Sequence, residues 1–387
     1  MQSFIRRGIS FFSPSPSSDG EGGIGSTPGL VTPLKFATVS SEDALFPKVD
    51  PKVDGEGCDR DCASCTIHYP AKFDVEMSDK LYGQVKGWST HILVATGKTD
   101  WVHDVADEKG SLMEAIEKGG LQPSNGRLKL SASNMPVPDE YHHAEPGEQP
   151  TSVLILPAFT IVEHVTPARA SDLIKYFINP APTTTTPLQN SIPAAKQPLQ
   201  EDIRGREEES QSLDEPQTVD IASLTPLRSR PCPHAAVILL CSQRTRDARC
   251  GQSAPLLRRE FERHLRALGL YRDLHDERPG GVGIYFISHV GGHKYAANVM
   301  IYRRRDFEWF RKRQDQSQGR DSSAVAEDQG EADPADAEGA AQGIWLARVR
   351  PEDCEGIVKF TVLQGKVVKP SLQLRGGFDR EKGLISW

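Results

Sequence analysis

The chain has 387 residues, a formal net charge of −7 and 37% hydrophobic residues. That length allows two ordinary domains. The acidity argues against a general nucleic-acid binder, which carries a basic footprint, and no apolar run approaches the ~18 residues of a membrane-spanning helix. The expectation is a protein without nucleic acid and without a membrane span.

Residues 1–54 are rich in Ser, Pro and Gly, as in "FFSPSPSSDGEGGIGSTPG", and read as a disordered tail. Its first dozen residues, "MQSFIRRGISFF", hold two arginines and no acid, a weak match to a mitochondrial presequence. A first α/β unit is expected over 55–180. "HILVATG" and "TSVLILPAFTIV" read as strands. Between them Leu112, Ala115 and Ile116 share a helical face that Gly119 and Gly120 end. Residues 181–229 combine recurrent Pro with an acidic stretch and read as a disordered linker.

A second unit is expected over 230–387. "AAVILL" reads as a buried strand. In the next segment Leu257, Phe261, Leu265 and Leu268 recur at helical spacing. "GVGIYFI", "ANVMIY" and "GIWLARV" read as further strands, and "IVKFTVLQGKVV" as a hairpin around Gly365. Residues 314–343 read as a disordered insertion. The basic, aromatic "YRRRDFEWFRKR" is taken as a strand end or docking edge. The two units share one plan of strand, polar loop, helix and Gly-Leu, which suggests internal duplication.

Seven cysteines, an odd number in a long chain, point to a reducing compartment and to metal or redox use rather than disulfides. Cys241 and Cys250, with His289 and His293, read C-x8-C and H-x3-H. Two thiolates and two neutral imidazoles suit either a tetrahedral zinc or a [2Fe–2S] cluster with two ligands per iron. Gly291 and Gly292 place the histidines on a loop rather than a helix, since two glycines would cost a helix about 2 kcal/mol. A nine-residue spacing is wide for a zinc knuckle, which favours the cluster while leaving zinc open. Cys58, Cys62 and Cys65 form C-x3-C-x2-C, readable as a second metal site, a thiol redox pair or a loop lining, with His68 nearby. Cys232 and Cys354 read as structural. Arg244, Arg246, Arg249 and Lys294 flank the four ligands, where positive charge would raise a cluster's potential and steer an acidic partner.

"CSQRTRDARCG", "HVGGHKYAANVMIY" and "GIWLARVRPEDCEGIVKFTVLQGKV" resemble the sucrase/ferredoxin-like family, as do "CASCTIHYP", "GWSTHILVATGKTDWVHD" and "VLILPAFTIVEHVTP" in the first unit. The resemblance implies an α/β chain with a C-terminal thioredoxin-like ferredoxin domain. It implies one [2Fe–2S] cluster, with Cys241 and Cys250 on one iron and His289 and His293 on the other, the histidines replacing the family's usual cysteine pair. Such a site should have a higher potential than an all-cysteine ferredoxin, as Rieske centres do. Loss of an imidazole N–H proton on oxidation would make that potential depend on pH.

The expected role is single-electron transfer in cellular redox homeostasis, by a carrier rather than a stand-alone enzyme. With no nucleotide fingerprint, the electrons would come from a separate reductase. The terminal Ile385, Ser386 and Trp387 resemble the tripeptide read by the cytosolic iron–sulfur assembly targeting complex. That favours the cytoplasm over mitochondria, unless Trp387 packs onto its own domain. The alternatives are a zinc-stabilised scaffold and a thiol oxidoreductase using Cys62 and Cys65. No pair of placed carboxylates marks a glycosidase.

Overall fold

The structure, a computed structural model, describes residues 36–143, 147–188, 221–305 and 338–387. The first half contributes strands β2 (Thr90–Ala95), β3 (Leu128–Ser133), β4 (Thr151–Leu156) and β5 (Thr160–Val165), after a short β1 (Ala37–Thr38). The chain continues through β6 (Arg228–Pro231), β7 (Ala236–Cys241), β8 (Tyr271–Arg272), β9 (Val282–Ile287), β10 (Val299–Arg304), β11 (Ala340–Leu346), β12 (Leu374–Asp379) and β13 (Leu384–Ile385). All belong to one sheet, ordered β1-β13-β12-β11-β10-β7-β9-β3-β2-β4-β5-β6, with β8 beside β9.

The sheet is built from one plan used twice. In each half a strand, a helix and a parallel strand are followed by two antiparallel strands and a final helix. The order β3-β2-β4-β5 matches β9-β7-β10-β11, the arrangement of a thioredoxin-like core. Helix α1 (Leu112–Glu117) joins β2 to β3, and α3 (Ala248–Ala267) joins β7 to β9. The final helices agree turn by turn. The first, α2, runs through Pro167–Arg169, Ala170–Asp172 and Leu173–Ile178. The second, α4, runs through Pro351–Asp353, Cys354–Gly356 and Ile357–Val362. Each passes from a 3₁₀ turn through an α turn into π geometry. Three residues before each proline, His164 and Arg348 both adopt a positive φ, 61° and 56°.

The halves meet edge to edge. Ser133 of β3 pairs antiparallel with Ile287 of β9. On either side, Ala132 N donates to Ser288 Oγ (3.0 Å) and Phe286 N donates to Asn134 Oδ1 (2.7 Å). These reciprocal bonds satisfy the buried strand ends where the ladder stops.

Alternation along the strands gives the sheet two apolar faces. Ile92, Val94, Ile238 and Leu240 face one layer, with Leu257, Phe261 and Leu265 of α3 and Ile357 and Val362 of α4. Leu93, Ala95, Val237, Leu239 and Cys241 face the other, covered by Trp88, Met135, Tyr285, Trp345 and Phe378, with Trp387 against it. The period-2 pattern therefore places the Cys241 side chain opposite the main helical layer.

Several boundaries differ from the sequence reading. "IVKFTVLQGKVV" is not a hairpin: Ile357–Val362 is helical. Pro351 opens the helix, the Asp353 carboxylate accepts from Arg350 N (2.7 Å), and burial of Ile357, Val358 and Val362 against the sheet overrides their β-propensity. The expected tail is ordered from residue 36, with one-turn helices at Glu42–Leu45 and Pro51–Asp54. The expected linker is ordered at both ends. Thr184 Oγ1 donates to Trp88 O (2.8 Å), and β6 pairs with β5. Residues 189–220 and 306–337, covering the rest of the linker, the aromatic part of the basic stretch and most of the insertion, lie outside the described residues, as does the presequence-like start.

Candidate metal centre

Cys241 ends β7, and the chain turns through Ser242–Arg246 into α3. Asp247 caps that helix by accepting from Arg249 N (2.9 Å), which puts Cys250 in its first turn. His289 follows β9 by two residues, and His293 opens the turn beyond Gly291 and Gly292. Two parallel strands thus bring both pairs to one sheet end, where thioredoxin-like and other α/β folds collect site residues.

Cys241 Sγ lies 3.4 Å from Cys250 Sγ and 3.8 Å from His289 Nδ1. The three donor atoms all lie within 4.8 Å of one another. Two thiolates ~2.3 Å from one tetrahedral ion sit roughly 3.8 Å apart, so the sulfur pair needs little adjustment to hold a metal. The His293 ring centroid is 5.6 Å from that of His289, outside the three-donor group. Both cysteines are buried, His289 is half-buried and His293 is exposed, so the set runs from the core to the surface.

The two thiols are shifted in opposite directions. The hydrogen bond between the two sulfurs holds the Cys241 thiol well below its ordinary value despite burial, with His289 adding to the effect. The same bond, with burial, pushes the Cys250 thiol up. A cation between the sulfurs would reverse the second shift and deprotonate both.

The first half holds this loop in place. Gln243, 1% exposed, accepts from His289 N (2.8 Å) and donates to Val102 O (2.5 Å). Ser242 Oγ donates to Thr99 O (2.9 Å), and Thr245 Oγ1 donates to Asp100 (2.8 Å). On the histidine side, Arg375 Nη1 donates to Gly291 O (2.9 Å) and Asn298 Oδ1 (2.7 Å). Gly292 is needed there twice over. Its φ is +70°, and a Cβ would come within 2.5 Å of the Arg375 guanidinium.

Three of the four expected surface cations have partners of their own. Arg249 pairs with Asp247 (2.8 Å), Arg246 donates to His103 Nδ1 (2.8 Å), and Lys294 pairs with Asp79. Arg249 still acts favourably on the Cys250 sulfur, and two further charges, Arg375 and Lys129, which sequence reading missed, act on Cys241. Burial pushes Arg375 down to about 10. Burial and then Arg375 push Lys129 down to about 8; its ammonium stands 5.3 Å from the Trp88 ring and 5.0 Å from Trp345. The Cys241 thiolate acts favourably on both cations.

The other sequence candidates separate. Cys58 packs with Val49, Phe360 and Val368. Cys65 donates to Ile67 O (3.4 Å), and burial raises its thiol. Cys62 lies 4.0 Å from His264 Nε2, and these two with Glu355 form a second three-donor group. His68 does not belong to it. Cys232 and Cys354 are buried. The terminal residues are not a free tail. Ile385 pairs with Phe378, Ser386 Oγ accepts from Gly377 N (2.8 Å), and Trp387 stacks on Trp88 at 4.5 Å over Gly87, where a Cβ would clash.

Fold and site together define a duplicated, thioredoxin-like α/β protein with thiol and imidazole donors converging at one strand end. The chain belongs to the sucrase/ferredoxin-like family, whose model matches residues 81–376. It is 32% identical over 247 residues to actin patches distal protein 1 of Saccharomyces cerevisiae, covering 60% of this chain and 67% of that protein. It is 32% identical over 136 residues to altered inheritance of mitochondria protein 32 of Clavispora lusitaniae, covering 35% of this chain and 33% of that one. The namesake from Debaryomyces hansenii gives 32% over 133 residues, 34% of this chain and 33% of its own length. The match thus spans about a third of the latter two relatives. No solved structure matches the chain. No helix of the described residues is long and apolar enough to cross a membrane.

Proposed function

We propose that this chain is a cytoplasmic electron-transfer protein that holds one [2Fe–2S] cluster through Cys241, Cys250, His289 and His293. The observation that carries the proposal is the convergence of Cys241, Cys250 and His289 within 4.8 Å at the end of β7, with His293 next along the same loop. The donor chemistry fits two irons: a soft thiolate pair inside and an imidazole pair outside. When bound, the cluster would store and release single electrons. The protein's part is to fix the donors and set the surrounding charge. Gln243 holds the His289 backbone, and Arg375 holds the glycine turn. Arg375 and Lys129 favour added negative charge beside Cys241. The exposed His293 edge is the short way out to a partner, with a separate reductase as donor.

A single zinc ion is the second reading, and one observation favours it: three donors fit one tetrahedral ion while His293 stands outside the group. A visible spectrum with iron and zinc quantified on the same purified sample separates the two. The proposal expects a red-brown protein with about two irons per chain, lost on Cys241→Ala. A colourless protein with stoichiometric zinc that Cys241→Ala abolishes overturns it.

A further inference from the structure

We propose that Cys62, His264 and Glu355 form a second metal site, separate from the Cys241 centre, that takes one zinc(II) ion. The Cys62 sulfur, an imidazole nitrogen of His264 and a Glu355 carboxylate oxygen all lie within 4.8 Å of one another. Cys62 Sγ and His264 Nε2 are 4.0 Å apart. A tetrahedral zinc with ordinary Zn–S and Zn–N lengths spaces such atoms by about 3.6 Å, a gap that side-chain rotation closes.

The three ligands come from three segments already docked together. His264 lies on α3 and Glu355 on α4, and the Cys62 backbone N–H donates to Glu352 O (2.9 Å) at the start of α4. Charge and donor type suit a dication. One thiolate and one carboxylate neutralise it, and a neutral imidazole completes three of four positions. Water would take the fourth, since Glu355 faces solvent. The Arg263 guanidinium bridges the same two atoms, donating to Cys62 Sγ (3.5 Å) and His264 Nε2 (3.1 Å) as well as to Ser64 Oγ (3.1 Å), and is anchored on Glu260 (2.7 Å), whose side chain is 3% exposed; a zinc ion would take its place between the sulfur and the imidazole. Binding would send the Cys62 thiol proton to solvent. Such an ion would clip the C-x3-C-x2-C segment to both helices of the second half, which explains why Cys62 faces His264 while Cys58 packs against Phe360.

The test uses the full chain, loaded as purified, with iron and zinc measured together. One zinc per chain is expected in addition to whatever the Cys241 centre holds. Cys62→Ala and His264→Ala should each remove it, or weaken it at least about tenfold, with the Cys241-centre metal unchanged. Cys58→Ala should leave both metals in place. In the full-length Cys241→Ser/Cys250→Ser background, cobalt(II) alone should give a sulfur-to-metal charge-transfer band that Cys62→Ala abolishes. Zinc content indifferent to Cys62 and His264, or no cobalt band in that background, overturns the site. Because the cobalt arm lacks the Cys241 centre, loss of the electron-transfer reading would leave this result standing, and the converse holds.

Discussion

Arg375 is 3% exposed and lies over the Trp345 ring at 4.2 Å, with bonds to Gly291 O and Asn298 Oδ1. A buried cation this close to the thiolate pair stabilises whichever state carries more negative charge. Arg375→Gln should therefore lower the reduction potential of the loaded protein, by about 60 mV if the effect is tenfold in a one-electron equilibrium. Spectroelectrochemistry reads the shift, and Arg375→Lys should restore much of it. An unchanged potential with full iron content would assign Arg375 to packing alone. Gln243 acts through position rather than charge. Gln243→Ala removes its bond to the His289 backbone and both bonds to the first half, and should accelerate metal loss to a chelator. None of this was legible in the sequence. Arg375 is 82 residues from His293 and Lys129 is 112 residues before Cys241, so only the folded sheet sets them beside the site.

At the level of elements, the chain shows what a repeated pattern fixes. The apolar runs of β2, β4, β7, β9 and β10 and the helical face of Leu257, Phe261 and Leu265 are continuous and local, so sequence reading placed them correctly. The same reading failed at α4, where a β-branched run is helical because its burial partners lie elsewhere. Phe261, fully buried, should cost about 3–5 kcal/mol as Ala, measurable by denaturant unfolding. The cap of α3 is a milder lever that bears directly on Cys250. Asp247→Ala should cost about 1 kcal/mol. Burial raises the Asp247 carboxyl, but hydrogen bonds from Arg249 outweigh it and hold it below its ordinary value. A depressed carboxyl contributes stability above its unfolded value near pH 4 and loses it as pH falls further. The wild-type and Asp247→Ala curves should therefore converge below pH 4.

The duplication also explains what each half contributes. Ala95 occupies in β2 the place that Cys241 takes in β7, and Met135 follows β3 as His289 follows β9. The first half thus repeats the fold without the donors. It supplies instead the Thr99–His103 backbone that holds the ligand loop and the Lys129 charge beside it.

For the whole molecule, one sheet and two apolar layers drawn from both halves predict cooperative unfolding. Calorimetry should show a single transition, and Asn134→Ala with Ser288→Ala should broaden it by cutting the two side-chain bonds across the junction while the backbone bonds of Asn134 N to Phe286 O and Ser288 N to Ala132 O remain. Two buried histidines set the acid side of that stability. His91 sits between Tyr302 and Ser131 hydroxyls (2.9 and 3.0 Å), and His234 bonds the Tyr285 hydroxyl (2.8 Å). Burial drives His91 well below its ordinary value, with Lys129 adding to it. Burial and then Arg272 push His234 down to about 4. The unfolded chain therefore binds protons at these positions below about pH 6.5 that the folded chain refuses. Stability should be full above that value and fall as pH drops toward 4, by up to about 1.4 kcal/mol per unit for each histidine. Urea midpoints at pH 7, 6 and 5 would show it, and His234→Gln should flatten the slope.

By itself the sequence determined the α/β class, the repeated plan and the family, and it singled out Cys241, Cys250, His289 and His293 as candidate donors, of which the fold brings the first three together. Those properties rest on local periodicity and on short spacings that the chain carries wherever it folds. Only the tertiary structure decided that the halves share one sheet, that Trp387 folds back onto Trp88, that Cys62 faces His264 and that Arg375 and Lys129 flank Cys241. Each of these joins residues from distant parts of the chain, and burial, which gives such contacts their energy, exists only once the sheet has formed.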